Sequence, residues 1–332
     1  MSIDTLKMPR WRKMAIVGSA VLCVAIWFCH LVQLDWFAPV ILVPNWCWLL
    51  PGMTLVTLGY NRDRKFRCIT VLAFWGIFTV MLVEQAQSLV RIKSWPTTEW
   101  KEVCERGRGI RVVSLNCGGG QANSAKEVAA WKPDIVLLQE SPSRQRVEQL
   151  SQDMFGATGA FLYGGDTSIL TGGQLRPKTP IQTSHFVHAE VRLPTGLQTD
   201  VISVRLAPPV FRIDFWMPGF WIDHRDKRMK HREEIADIMQ RVQSIPRSSN
   251  VIVGGDFNSP PSDDALAPLR QRMFDTFRKA GRGWGSTGTN DYPLFRVDQI
   301  WVSQGFRAES VTAQKTRHSD HRMVVCDLIL KD

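Results

Sequence analysis

Towards one end of the chain stands Ser319-Asp320-His321, well upstream of it Gly255-Asp256-Phe257-Asn258, and between them Val297-Asp298-Gln299-Ile300. Each belongs to or closely adjoins a β-like apolar run, so carboxylates, an amide and an imidazole are carried to strand ends. Those side chains are the parts needed to attack a phosphate ester beside a divalent metal: a base for water, a proton donor opposite it and oxygen ligands. Two more strand-like runs end in the same way. Asn116 follows Val-Val-Ser-Leu, and Gln139-Glu140 follows Ile-Val-Leu-Leu.

Taken singly, each residue has a plain structural explanation. Asn116 before Gly118-Gly119-Gly120 is a turn former, Glu140 before Ser141-Pro142 a helix-entry carboxylate, and Asp256 with Asn258 before Pro260-Pro261 a loop cap. Their joint order is what points to chemistry. That order resembles the endonuclease/exonuclease/phosphatase family, the DNase I-like metal-dependent phosphoesterases. The matching elements are Leu115-Asn116, Leu138-Gln139-Glu140, Gly255-Asp256-Phe257-Asn258, Val297-Asp298-Gln299-Ile300 and Ser319-Asp320-His321-Arg322, spread over residues 110 to 330.

The resemblance implies an α/β fold, a DNase I-like sandwich of two packed mixed β-sheets with outer helices. Carried over by matching position, Glu140 is the main Mg²⁺ ligand with Asn116 beside it, and Mn²⁺ is a substitute; hard oxygen ligands suit both ions. Asp256 orients and deprotonates the attacking water, and Asn258 donates to the phosphate. His321, positioned by Asp298, stabilises or protonates the leaving oxygen, while Asp320 orients the site or binds a second metal. The chain departs from the pattern at Arg205, where many family members carry a histidine. Arginine cannot act as a general acid near neutrality but can hold a phosphate bidentately, so Arg205 is expected to bind substrate.

These residues need a scaffold, and strand patterns at 111–116, 134–140, 201–206, 250–254, 297–302 and 323–329 supply one. Ser124-Ala-Lys-Glu127 matches a capping box opening a short helix, and Ile235, Ile238, Met239 and Val242 recur at helical spacing. The catalytic domain is thus placed at 110–332, preceded by a juxtamembrane linker at 84–109 and a membrane anchor at 1–83. Three transmembrane helices are expected in the anchor, at 14–34, 36–58 and 68–83, with Pro39, Pro44 and Pro51 allowing kinks in the second. Lys7, Arg10, Arg12 and Lys13 precede the first, and Arg62, Arg64, Lys65 and Arg67 lie between the second and third. The positive-inside rule then puts the catalytic domain on the extracytoplasmic side. Such an anchor ahead of such a domain resembles a membrane-anchored bacterial branch that includes teicoplanin-resistance proteins.

Net charge narrows the substrate. The chain carries +10, but residues 1–100 hold 10 Lys/Arg against 5 Asp/Glu, leaving 31 against 26 for the remainder. A surplus of that size suits an anionic substrate and falls short of a nucleic-acid-coating surface. A phosphodiester or pyrophosphate is expected, with a lipid-linked phosphate and membrane lipids as partners; an extracytoplasmic nuclease and a silent phosphate-binding domain are the rivals. Seven cysteines show no metal-binding spacing. Arg176 and Lys178 read as a solvated loop, and His185, His188, His224 and His231 as surface residues. The stretch 211–221, rich in Phe, Trp and Ile, either packs as core or meets a bilayer.

Overall fold

The structure, a computed structural model, describes residues 10–62, 65–91, 96–178 and 185–331. The chain divides into two compact units, Met1–Gln87 and Ser88–Asp332.

In the first unit, Arg10–Val32 and Lys65–Leu82 are helices long and apolar enough to cross a membrane. Their outer surfaces are apolar: Val17, Val21, Val24, Phe28 and Leu31 on one and Phe66, Ile69, Ile77 and Val80 on the other are exposed. A helix whose outer face meets water shows the reverse. Small residues let the helices approach, since a Cβ on Gly52 would lie 2.3 Å from the Trp75 ring. Trp75 Nε1 donates to Ser19 Oγ at 3.0 Å, and that hydroxyl donates to the Gly52 carbonyl at 2.9 Å. Of the three expected transmembrane helices, only Arg10–Val32 and Lys65–Leu82 are, among the described residues, single helices long and apolar enough to cross, and the kink that the prolines allowed in the second is a full break. The middle segment is broken into Asp35–Leu42 and Asn45–Gly59, bent by 81°. Pro44 accounts for the break: it has no N–H to donate and holds Val43 in an extended conformation, at φ −63° and ψ 127°. Lys7 and Arg64, used above for orientation, lie outside the described residues.

The second unit contains strands β1 (Gly109–Asn116), β2 (Ile135–Gln139), β3 (Ala160–Tyr163), β4 (Thr167–Thr171), β5 (Gln174–Pro177) and β6 (Phe186–Arg192). It continues with β7 (Gln198–Arg205), β8 (Val251–Asp256), β9 (Met273–Asp275), β10 (Asp298–Ser303), β11 (Phe306–Gln314) and β12 (Met323–Leu330). They form two six-stranded sheets, ordered β11-β12-β1-β2-β4-β3 and β5-β6-β7-β8-β10-β9. Each is mixed, with β1 parallel to β2 and β7 parallel to β8.

Side chains alternate between faces along a strand, and this alternation builds three apolar layers. Ile110, Val112, Ile135, Leu137, Val201, Ile252, Ile300 and Val302 share the core between the sheets. The intervening Val113, Leu115, Val136 and Leu138 cluster with Val147 and Leu150 of helix Arg144–Phe155. On the other sheet, Ile202, Val204, Val251 and Val253 cluster with Ile235, Ile238 and Val242 of helix Pro218–Ser244. Continuing the inward register past the apolar core reaches Ser114 and Asn116 on β1, Gln139 on β2, Ser203 and Arg205 on β7, and Asp256 on β8. Since β10 runs antiparallel to β8, its first residue, Asp298, pairs with Asp256. One edge of the sandwich therefore collects the polar ends.

Several local expectations change. Residues 84–109 contain helices Glu84–Ser88 and Thr98–Glu105, the latter capped by Thr97 and burying Trp100. Ser124 is not a helix cap: it lies inside Ala122–Lys126, because the Glu127 carboxylate is engaged with residues 317 and 318. Arg176 sits on strand β5 rather than in a loop, and Lys178 pairs with Glu190 at 2.7 Å. His188, His224 and His231 are buried. His188 meets Asp200 at 2.8 Å and His231 the Ala207 carbonyl at 2.7 Å, partners that the local sequence does not reveal.

Candidate active site

Beneath the site a polar layer joins the two sheets: Ser114 Oγ donates to Gln139 Oε1 at 3.3 Å, and Gln139 Nε2 donates to Ser203 Oγ at 3.2 Å. Ser114 and Ser203 occupy the inward register one step below Asn116 and Arg205, and Gln139 pairs level with Asn116. Buried amides and hydroxyls are tolerated because they satisfy one another. Above them, Asn116 Nδ2 donates to Glu140 Oε1 at 3.2 Å and to Asp256 Oδ2 at 3.0 Å, and so bridges carboxylates from opposite sheets.

Glu140 stands just past β2 with a left-handed backbone (φ 44°). Its Oε2 accepts the Gly119 N–H at 2.5 Å, and its Oε1 also accepts Arg205 Nη2 at 2.7 Å. Burial pushes its carboxyl pKa up, but the Gly119 N–H, the Arg205 charge and the Asn116 amide together hold it below the usual range. The other arm of Arg205, Nη1, donates to Asp166 Oδ2 at 2.8 Å. Arg205 therefore binds two carboxylates of the site itself. Its Nε is buried with no hydrogen-bond partner among the described residues.

Asp256 is buried and ends β8 after Gly255, whose φ of 145° and contact with Val204 leave no room for a side chain: a Cβ would lie 1.9 Å from the Val204 carbonyl oxygen. Asp256 Oδ1 accepts the Asn258 N–H at 2.9 Å. Burial and then the neighbouring Asp298 charge raise its pKa to about 6. Asn258, at φ 48°, turns one amide hydrogen to the Leu206 carbonyl at 2.9 Å, and its amide carries a second hydrogen.

His321 Nδ1 donates to Asp298 Oδ2 at 2.8 Å, leaving Nε2 as the ring's other polar atom. Burial alone would lower its pKa, but the Asp298 charge and hydrogen bond, with Asp256 and Asp320 adding to them, raise it to about 10. These neighbours favour the protonated imidazole. Its loop is held from several sides. Ser319 Oγ donates to the Asn116 carbonyl at 2.6 Å and accepts the His321 N–H at 3.0 Å. Glu127 accepts the N–H groups of Arg317 and His318 and pairs with His318 Nδ1 at 2.9 Å. Asp320 is exposed, close to Gly118.

The structure thus joins Asn116, Glu140, Arg205, Asp256, Asp298 and His321 into one network, with Asn258 beside it and Asp320 at its rim. Sequence reasoning missed Asp166, Gly119, Ser203 and the role of Glu127. Ser203 was findable, because it lies two residues before Arg205 on the same face; Asp166 follows a Gly-Gly turn and carries no local signal.

The donor set fits a hard divalent cation. Glu140, Asp166, Asp256, Asp298 and Asp320 stand against the charges of Arg205 and His321, so carboxylate charge is in excess. Asp298 Oδ1 is buried without a hydrogen-bond partner among the described residues. Ligand atoms of Asp256, Asp298 and His321 lie within 4.8 Å of one another, compact enough for an ion. Because His321 Nδ1 faces Asp298 as a donor, the imidazole is the poorer ligand, and the oxygen donors Glu140 and Asn116, linked to Asp256, are the ones left to suit a hard cation.

Comparison with known proteins agrees with this geometry. No curated protein matches the chain. Among solved structures, a humanized D. rerio TDP2 is 17% identical with a TM-score of 0.51, covering 67% of this chain and 99% of that one. An endonuclease/exonuclease/phosphatase family protein from Bacteroides thetaiotaomicron is 14% identical with a TM-score of 0.51, covering 67% and 95%. A functionally unknown conserved protein from Enterococcus faecalis is 14% identical with a TM-score of 0.52, covering 67% and 100%. At these identities the likeness is one of fold. The family model described as "Endonuclease/Exonuclease/phosphatase family" matches residues 113–321, spanning every site residue named above. The chain therefore belongs to the endonuclease/exonuclease/phosphatase family, whose members are hydrolases acting on phosphate esters.

Proposed function

We propose that this chain is a membrane-anchored, Mg²⁺-dependent phosphoesterase that cleaves a phosphodiester or pyrophosphate on a lipid-linked substrate at the extracytoplasmic face. One observation carries the reading: Asp256, Asp298 and His321 lie in one cluster, with His321 Nδ1 on Asp298 and Asn116 bridging Asp256 to Glu140, a setting that raises the pKa of both Asp256 and His321. Perturbed groups of opposite charge in one site are the arrangement that acid–base chemistry requires. Glu140 and Asn116 would hold the Mg²⁺, with Asp320 as an orienting group or a ligand to a second ion. When bound, the cation supplies charge neutralisation at the phosphate oxygens.

The chain's own residues do the rest. Asp256 takes the proton of the attacking water, aided by the N–H of Asn258 that fixes its carboxylate. Asn258 offers its second amide hydrogen to the phosphate. His321 gives its Nε2 proton to the leaving oxygen, and Asp298, held on Nδ1, favours the protonated ring and fixes its orientation. Arg205 brings positive charge to the phosphate while holding Glu140 in place. The apolar outer faces of the N-terminal helices support anchoring, and an anchor in turn favours a lipid-linked substrate.

The test is a turnover screen of the purified chain with Mg²⁺ over lipid pyrophosphates, sphingomyelin, nucleic acids and phosphomonoesters. Turnover is expected on a lipid phosphate. Best turnover on nucleic acid would overturn the substrate class, and phosphate-ligand binding without turnover would make the domain a silent binder.

A further inference from the structure

The segment after β7 leaves the edge where Arg205 and Asp256 lie: Leu206 N donates to the Asp256 carbonyl at 2.9 Å, and the chain then turns outward. Phe211 and Ile213 are each 88% exposed, Trp216 68% and Phe215 63%. This is a contiguous apolar tip, not a scatter of single side chains. It is also braced. Trp221 Nε1 donates to the Phe215 carbonyl at 2.8 Å, Met217 N donates to the Asp214 carbonyl at 2.8 Å, and the Phe215 and Trp216 rings meet edge to face at 5.1 Å. Within the tip Arg212 pairs with Asp214, which matches its own two charges, and the same guanidinium reaches Asp223 of the following helix. Apolar side chains with neutralised charges enter a bilayer interface at little desolvation cost. A second loop that reaches the site carries one more exposed aromatic: Tyr292 is 80% exposed, four residues beyond Gly288, which bridges to His321.

We propose that residues 211–217, with Tyr292, are a membrane-docking rim that inserts into the headgroup region of a lipid bilayer and presents the site's mouth to lipid phosphates. The inference rests on the membrane-anchored part of the function proposed above. The occupant is a bilayer because the same chain carries helices long and apolar enough to cross one, which keeps a lipid surface at high effective concentration. Phe, Trp and Tyr are also the residues that favour the membrane–water interface.

The test places a photoreactive benzoylphenylalanine at Phe215, at Trp216 or at the exposed Glu148 of helix Arg144–Phe155, in the full chain reconstituted into phosphatidylcholine–phosphatidylglycerol vesicles. After irradiation, adducts are identified by mass. Lipid adducts at positions 215 and 216 are expected to exceed those at 148 by about tenfold or more, since each large apolar side chain favours the apolar phase by roughly that factor. Equal yields at the three positions, or adducts to a second copy of the chain, would overturn the proposal. Separately, Phe215→Ser with Trp216→Ser is expected to leave turnover of a small soluble phosphodiester in detergent within about twofold of the parent, because neither residue touches the site. Loss of that turnover would place the tip inside the catalytic site and overturn its assignment as a rim. Absence of turnover in the parent would sink the proposed chemistry, while the adduct pattern would still decide docking.

Discussion

Arg205 links two carboxylates of the site, and removing it should have opposite effects on metal and substrate. Its guanidinium is 23% exposed and bridges Glu140, 26% exposed, and Asp166, 37% exposed. A shielded charge-assisted hydrogen bond contributes about 1.5–3 kcal/mol, and the more exposed Asp166 arm about 0–1 kcal/mol. Arg205→Ala should therefore destabilise the unit by about 1.5–4 kcal/mol, a fall in melting temperature of roughly 3–16 °C for a domain of this size. The same substitution removes a positive charge from the carboxylate expected to hold Mg²⁺. Two cations sharing a carboxylate lie roughly 4–5 Å apart and repel by about 2 kcal/mol even at the dielectric of water. Mg²⁺ should bind Arg205→Ala at least about tenfold more tightly than the parent, read by titration calorimetry or by the shift of melting temperature with Mg²⁺. Turnover of a phosphodiester should nevertheless fall by roughly ten- to a hundred-fold, with Arg205→Lys between the two, since lysine keeps the charge without the fork. Unchanged or weaker Mg²⁺ binding in Arg205→Ala would refute the idea that guanidinium and metal share Glu140.

Turnover should rise with pH as Asp256 loses its proton through about 6 and decline as His321 loses its own through about 10. Asp298→Asn, which removes the main influence raising the imidazole pKa, should move the alkaline limb of the pH–rate profile downward; an unmoved limb would detach His321 from it. Gly255→Ala should cost more than about 3 kcal/mol, because the new methyl meets the Val204 backbone at a φ of 145°; a parent-like thermal melt by circular dichroism would show that β8 tolerates it. A reporter fused at the C-terminus should behave as extracytoplasmic, and cytoplasmic reporter activity would reverse the proposed orientation.

Period-two alternation made much of the site legible in sequence. Val112, Ser114 and Asn116 fall on one face of β1 as Val201, Ser203 and Arg205 do on β7, so an inward apolar run that turns polar marks the site edge. Strands β3 to β5, β9 and β11 were not anticipated: β3, β5, β9 and β11 lie at sheet edges, β11 with an irregularity between Ala308 and Ser310, and β4 is an interior strand of only five residues. Long-range partners also explain the misread residues. Glu127 matches a local capping pattern yet serves the loop carrying His321, and His188 looks exposed until Asp200 is folded against it. In the first unit, composition indicated a span at 36–58, but the single missing N–H of Pro44 decided that it bends.

The central claim is that Glu140 makes this a metal-dependent phosphoesterase, and a Mg²⁺ titration followed through both binding and phosphodiester turnover tests it directly. The parent chain should show saturable Mg²⁺ binding and turnover that chelation abolishes. Glu140→Gln should weaken that binding and lower turnover by orders of magnitude, on the order of the hundredfold or more supplied by a metal ion to transition-state charge, while the fold survives. Mg²⁺ binding and turnover in Glu140→Gln equal to those of the parent would contradict the account.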